Sequence, residues 1–188
     1  MKRLILASAS PRRKELLSGG GFEFEIITSD KESRPEKGVS PAKYAVKCAV
    51  EKCEDVYLRA AKGTGAVVLG ADTVVALDGE IFGKPTSEAD AERMLRLFSG
   101  KTHTVITGYA LITDGMRESG EVESEVTFNE LTDEVISAYL KSGLYKGKAG
   151  AYGIQDGFDL VKECKGYRDN VIGLPIEALS DTIKEFLK

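Results

Sequence analysis

A chain of 188 residues, 42% hydrophobic and 30% charged, has the length to bury a core and the composition of an ordinary globular protein. Its 26 Lys and Arg against 30 Asp and Glu leave a net charge of −4, which argues against a broad nucleic-acid-binding surface. No stretch approaches the roughly 18 apolar residues of a membrane span, and the N-terminus turns into a strand too soon for a signal peptide. The expectation is a cytoplasmic protein of one domain, 1–188, with neither membrane nor nucleic acid among its partners.

Strand and helix patterns alternate along the chain. A short apolar strand near 3–7 runs into Ser8-Ala-Ser-Pro-Arg-Arg13, which opens a helix over 11–18 that stops at Gly19-Gly-Gly21. Pro11 suits the first helical position. Arg12 and Arg13 do not suit a helix N-terminus, whose partial positive charge makes each cation cost a few tenths of a kcal/mol until an anion offsets it. With free N–H groups and the hydroxyls of Ser8 and Ser10, this start describes a phosphate site; the plainer alternative is that Ser10 caps the helix and both arginines are solvated.

A strand over 22–28 and a charged loop through Pro35 and Gly38 follow. Ser40 and Pro41 then begin a helix running to about Arg59, with Cys53 in its apolar stripe and core packing expected for both Cys48 and Cys53. Lys52 lies at the edge of that stripe, so its amine either reaches inward or snorkels to water. The interval 66–77 is a β-branched buried strand, and Asp78-Gly79 is a hairpin turn to Ile81-Phe82. Ser87 caps a helix over 88–98, and strands over 103–113 and 117–128 flank Asp114-Gly115 as a paired ribbon. Thr132 caps a helix to about Lys141, and a glycine-rich stretch runs to Gly157. A strand near 158–165 comes next, and Pro175 starts the terminal helix. The order gives an α/β fold with a mixed central sheet and flanking helices.

Some residues are chemically out of place. Asp72 stands inside Val67-Val-Leu-Gly-Ala-Asp-Thr-Val-Val75, where a carboxylate is costly unless paired, metal-bound or turned to water at a bulge. Lys84, in Gly83-Lys-Pro85, projects one cation from a fixed loop. Glu32, in Ser29-Asp-Lys-Glu-Ser33, reads as an ordinary solvated loop residue. Gln155, in Gly150-Ala-Tyr-Gly-Ile-Gln155, offers an amide that donates and accepts, suited to the edge of a nucleobase. Cys48, Cys53 and Cys164 have no metal-ligand spacing and fit a reducing compartment. With His103 the one histidine, a Ser–His or Cys–His hydrolase is disfavoured. The set suits phosphoanhydride chemistry better than acyl transfer.

The blocks Ala7-Ser-Ala-Ser-Pro-Arg-Arg-Lys-Glu-Leu-Leu17, Leu69-Gly-Ala-Asp-Thr73, Gly83-Lys-Pro85, Gly150-Ala-Tyr-Gly-Ile-Gln155 and Val171-Ile-Gly-Leu-Pro175 together resemble the Maf nucleoside triphosphate pyrophosphatases from end to end. The resemblance implies a two-lobed mixed sheet around a cleft, similar to inosine triphosphate pyrophosphatases. It implies cleavage between the α and β phosphates of a nucleoside triphosphate, with Mg²⁺ or Mn²⁺. It carries over Ser8, Arg12, Arg13, Glu32, Lys52, Asp72, Lys84 and Gln155 as site residues, with Asp72 as proton acceptor. A divalent ion would be held by Glu32, and Asp72 can serve as base, as a second metal ligand or as both. Arg12, Thr73 and Gln155 match the dTTP and UTP branch, and a homodimer is implied. A nucleotide-binding regulator of cell division is the competing expectation.

Overall fold

The computed structural model describes residues 2–31, 33 and 38–188. A seven-stranded sheet carries the fold. Its elements are β1 (Leu4–Leu6), α1 (Pro11–Gly19), β2 (Glu25–Ile26), α2 (Pro41–Val56), β3 (Val67–Leu77), β4 (Glu80–Phe82), α3 (Glu88–Phe98), β5 (Thr102–Thr113), β6 (Met116–Phe128), α4 (Asp133–Ser142), β7 (Val161–Lys165), α5 (Arg168–Ile172) and α6 (Ile176–Phe186). The strand order is β2-β1-β3-β5-β6-β7, with β4 also on β3. Pairings of β1 with β2 and β3 are parallel and the rest antiparallel, which is the mixed sheet expected.

The long central strand organises the rest. One edge of β3 pairs with β5 continuously from Val68 to Ala76. The other edge is shared: β1 takes Val67–Leu69 and β4 takes Val75–Leu77, so these pairings leave residues 70–74 open between them. The hairpin into β4 forms because Asp78 and Gly79 both take positive φ, 52° and 81°, the combination a two-residue turn needs.

Side chains alternate across β3 as a two-residue repeat requires. Val68 packs on one face with Cys53 and Val56 of α2, whereas Val67, Leu69 and Ala71 pack on the other with Leu17, Leu174 and α6. Toward the far end, Val75 and Leu77 join a third cluster with Phe98, Phe128, Ile136 and Tyr139 from α3, β6 and α4. The helix over β3 and β5 lies unusually close. A Cβ at Gly108 would stand 2.3 Å from the Ala45 carbonyl carbon, and one at Gly70 would stand 2.6 Å from the Ala49 oxygen.

Several boundaries differ from the sequence expectation. Strand pairing within 22–28 is confined to Glu25–Ile26, because β1 offers only three residues to pair with. The helix expected to end near Arg59 passes at Tyr57 into a π-helical turn, Tyr57–Ala61. The strand expected from 158 starts at Val161, since Leu160 N–H turns back to Phe158 O at 2.8 Å. Ser10 makes no side-chain cap; Ser40, Ser87 and Thr132 do. Pro175 sits just before α6, which is capped at a distance by Asp169, whose Oδ2 accepts from Glu177 N–H at 2.8 Å.

Gly108→Ala should lower stability by about 2–3 kcal/mol in urea unfolding, because its new methyl meets backbone that cannot yield without moving α2. Gly19→Ala, with nothing within 4 Å, should instead be neutral or stabilise slightly. Equal effects from the two would contradict the close seating of α2.

Candidate active site

The open stretch of β3 forms the floor of a cleft of about 740 Å³, within the size range of small-molecule sites. Among the described residues, seven cationic side chains line it with one carboxylate, Asp72, and one of the seven, Lys148, is already paired with Asp156 behind the wall. In a protein of net charge −4 this concavity is thus locally cationic, and its low-dielectric walls concentrate the field on an anion.

Asp72 is reached from the α2 side. It follows Gly70 by two residues and so shares its face, and it stands in register opposite Gly108. The two glycines let α2 settle close enough for Lys52 Nζ to donate to Asp72 Oδ1. Each of these side chains keeps 19% of its surface exposed, so the pair is sheltered but still open to a ligand. Lys52 therefore reaches inward rather than to bulk water. Asp72 is neither at a bulge nor at a strand end, since β3 and β5 stay in step on both sides of it.

Thr73 points the opposite way, to Arg13. The guanidinium donates to Gly173 O at 2.8 Å, Ser8 Oγ at 3.2 Å and Thr73 Oγ1 at 3.0 Å. Burial pulls the Arg13 pKa down, Asp72 opposes that, and Arg12 adds to it. Arg13 is thus fixed as a brace between α1, β3 and the loop after α5, with part of its surface still lining the cleft. Ser8 is buried and its Oγ also accepts from Ser10 N–H at 3.2 Å, which shapes the entry to α1. No acidic residue occupies the first turn of α1, so its positive end is uncompensated by the chain itself. Arg12 spans the cleft, donating to Gly147 O at 3.0 Å.

Lys84 is exposed on the opposite wall, held by a loop in which Gly150 N–H donates to Gly83 O at 3.0 Å. Gln155 is exposed at the rim in a turn closed by Asp156 N–H to Gly153 O at 3.1 Å. Ser8, Arg12, Arg13, Lys52, Asp72, Thr73, Lys84 and Gln155 therefore meet around one cleft. Glu32 lies outside the described residues; Lys31 and Ser33, its neighbours in sequence, line the cleft.

Sequence reasoning missed Lys31, Lys146 and Lys148, which also line the cleft, because lysines in loops carry no periodic signal. Cys48 is buried as expected but faces the cleft, and burial and the charge of Asp72 push its thiol pKa up, away from nucleophile behaviour. His103 is a core residue. Its Nε2 meets Tyr152 OH at 2.8 Å beneath the cleft wall, and its ring packs 4.5 Å from that of Phe98.

The family model of Maf-like proteins matches residues 3–186. The chain belongs to the Maf family. A relative from Thermococcus gammatolerans, named dTTP/UTP pyrophosphatase, is 45% identical over 177 residues, 94% of this chain and 92% of the relative. One from Bacillus cereus with the same name is 44% identical over 187 residues, 99% of this chain and 91% of the relative. Among solved structures, a HAM1 protein from Coxiella burnetii aligns with TM-score 0.53 at 16% identity, covering 98% of this chain and all of that one. That likeness shows a common fold. In this Maf chain the family blocks are the segments that surround the gap in β3.

Burial pushes the His103 pKa from 6.5 down to about 4. The folded state therefore resists protonation that the unfolded chain accepts. The stabilisation is whole above pH ~6.5 and is lost as pH falls toward 4, by about 3 kcal/mol at ~1.4 kcal/mol per unit. Urea unfolding of wild type and His103→Phe at pH 7 and 4 should show the wild type losing that much more. Parallel pH dependences would contradict the assignment.

Proposed function

We propose that this Maf chain is a nucleoside triphosphate pyrophosphatase acting on dTTP and UTP, releasing the monophosphate and pyrophosphate. The observation that carries the reading is the convergence of cations around one ion-paired carboxylate at the open edge of β3. The names of the two relatives supply the substrates and the bond class.

In this reading the N-terminal end of α1, with Arg12 and Arg13, receives phosphate oxygens, and Lys52 and Lys84 complete the cradle. Thr73 and Gln155 face the choice of base. An amide at Gln155 pairs with the O4 and N3–H edge of thymine or uracil, and losing such a contact costs about 1–3 kcal/mol. Lys52 holds Asp72 through Oδ1, which leaves Oδ2 either to take the proton from the water that attacks the α-phosphorus or to bind the cation. A regulator that only bound nucleotides would need the cations but not a carboxylate held at the reacting end, so the ion pair favours hydrolysis over that alternative.

A divalent cation fits the donor set. The described residues contain no group of three or more His, Cys, Asp or Glu able to hold a metal alone. Mg²⁺ binds instead through one or two carboxylates, with substrate phosphates and water completing its shell. Glu32, with Asp72 where its carboxylate serves as a ligand, would hold Mg²⁺ or Mn²⁺ together with the triphosphate, and such an ion would neutralise the charge gathering on the leaving pyrophosphate. No helix among the described residues is long and apolar enough to cross a membrane. A cytoplasmic location and a single domain over 1–188, both read from length and composition, and a homodimeric state, implied by the family resemblance, complete the proposal.

Wild-type protein should release pyrophosphate from dTTP and UTP only with a divalent cation present. Asp72→Asn should fall at least about a hundredfold in kcat, the scale of losing a general base, with an unchanged circular dichroism spectrum. Orthophosphate as the first product, or an Asp72→Asn variant retaining more than about a tenth of wild-type turnover, a loss of only ~1.4 kcal/mol in barrier lowering, would contradict the reading.

A further inference from the structure

Behind the exposed Gln155 turn lies a charge pair that the proposed chemistry does not use. Lys148 Nζ donates to both oxygens of Asp156, at 2.6 Å to Oδ1, and the two side chains keep only 10% and 5% of their surface exposed. Tyr139 OH donates to Asp156 Oδ2 at 2.6 Å and accepts from Gly153 N–H at 3.2 Å. Burial and the neighbouring carboxylate push the Tyr139 pKa far up, so the hydroxyl remains a donor. The carboxylate fills the space under the turn: a Cβ at Gly153 would come within 2.6 Å of Asp156 Oδ1. Arg168 Nη2 adds a clamp on Ile154 O at 2.9 Å.

A buried ion pair is a poor means of gaining stability, since a well-packed apolar pair of the same volume often does as well or better. What it supplies is fixed geometry, because each donor and acceptor admits few alternatives. Here every member acts on the residues just before or after Gln155. We propose that Lys148, Asp156 and Tyr139 form a buried support that holds the Gln155 turn in its base-reading conformation, making Lys148 a positioning residue for discrimination among pyrimidine nucleotides. The inference rests on the dTTP/UTP reading above. Lys148 sets where the amide stands, through Asp156, without itself pairing with the base.

Calorimetry with the α,β-imido analogues of UTP and CTP, in the presence of Mg²⁺, reads discrimination without turnover. Lys148→Met alone leaves a buried unpaired carboxylate, so Lys148→Met/Asp156→Asn is the working variant: it is uncharged, close in volume, and keeps an acceptor for Tyr139. The preference for the UTP analogue should fall about tenfold in the double variant, the loss of one well-placed polar contact, with affinity for the CTP analogue unchanged. Amide hydrogen exchange at Gly153 and Asp156 should quicken while that of α2 stays slow. Lys148→Arg should keep most of the preference. A folded double variant with wild-type preference and wild-type exchange would overturn the proposal. So would equal loss of affinity for both analogues, which would put Lys148 on the phosphates. Wild-type protein that binds the two analogues equally would count against the dTTP/UTP reading instead, and the exchange measurement would still decide whether the support holds the turn.

Discussion

The Lys52–Asp72 ion pair at the open edge of β3 is the constraint on which the rest of the site depends. A carboxylate in the middle of an otherwise apolar strand is tolerable only with a partner close by. That partner comes from a helix that must approach the sheet to within backbone contact. Gly70 and Gly108 make the approach possible, and Cys53, Ala45 and Ala49 keep the facing side of α2 small. Packing and electrostatics are therefore one requirement here. A bulkier strand would push the lysine away and leave the carboxylate buried without compensation, at a cost of several kcal/mol.

The gap in strand pairing turns that pair into a site. As consecutive strand residues, Asp72 and Thr73 lie on opposite faces of β3, and because β1 and β4 share one edge of the strand and stop short of each other, that edge is open beside both. Thr73 receives Arg13 on one side while Asp72 receives Lys52 on the other. The cleft thus has a rigid floor with one cation fixed to each face. Its walls come from loops, as is common where a scaffold holds a binding surface. Arg12 joins these walls through Gly147 O.

Much of this was legible from the chain. Asp72 stood out because its neighbours are apolar, Lys52 because it lay at the edge of a helical stripe, and Arg12 and Arg13 because cations oppose a helix N-terminus. The caps at Ser40, Ser87 and Thr132 followed from local hydrogen-bonding chemistry. What escaped was set by tertiary contact. The π-helical turn at Tyr57–Ala61 buries Tyr57 and Ala61 at a four-residue step, so the apolar pattern continues through it as through an α-helix. The five-residue α5 is too short to show a period. Lys148 and Asp156 are eight residues apart in a glycine-rich stretch, and only the folded turn makes them partners.

The central claim is that water attacks the α-phosphorus beside Asp72. Hydrolysis of UTP in ¹⁸O-enriched water, with the products resolved by mass spectrometry, tests it most directly. The account predicts the label in UMP and none in pyrophosphate. Label in the pyrophosphate would mean attack at the β-phosphorus and would contradict it.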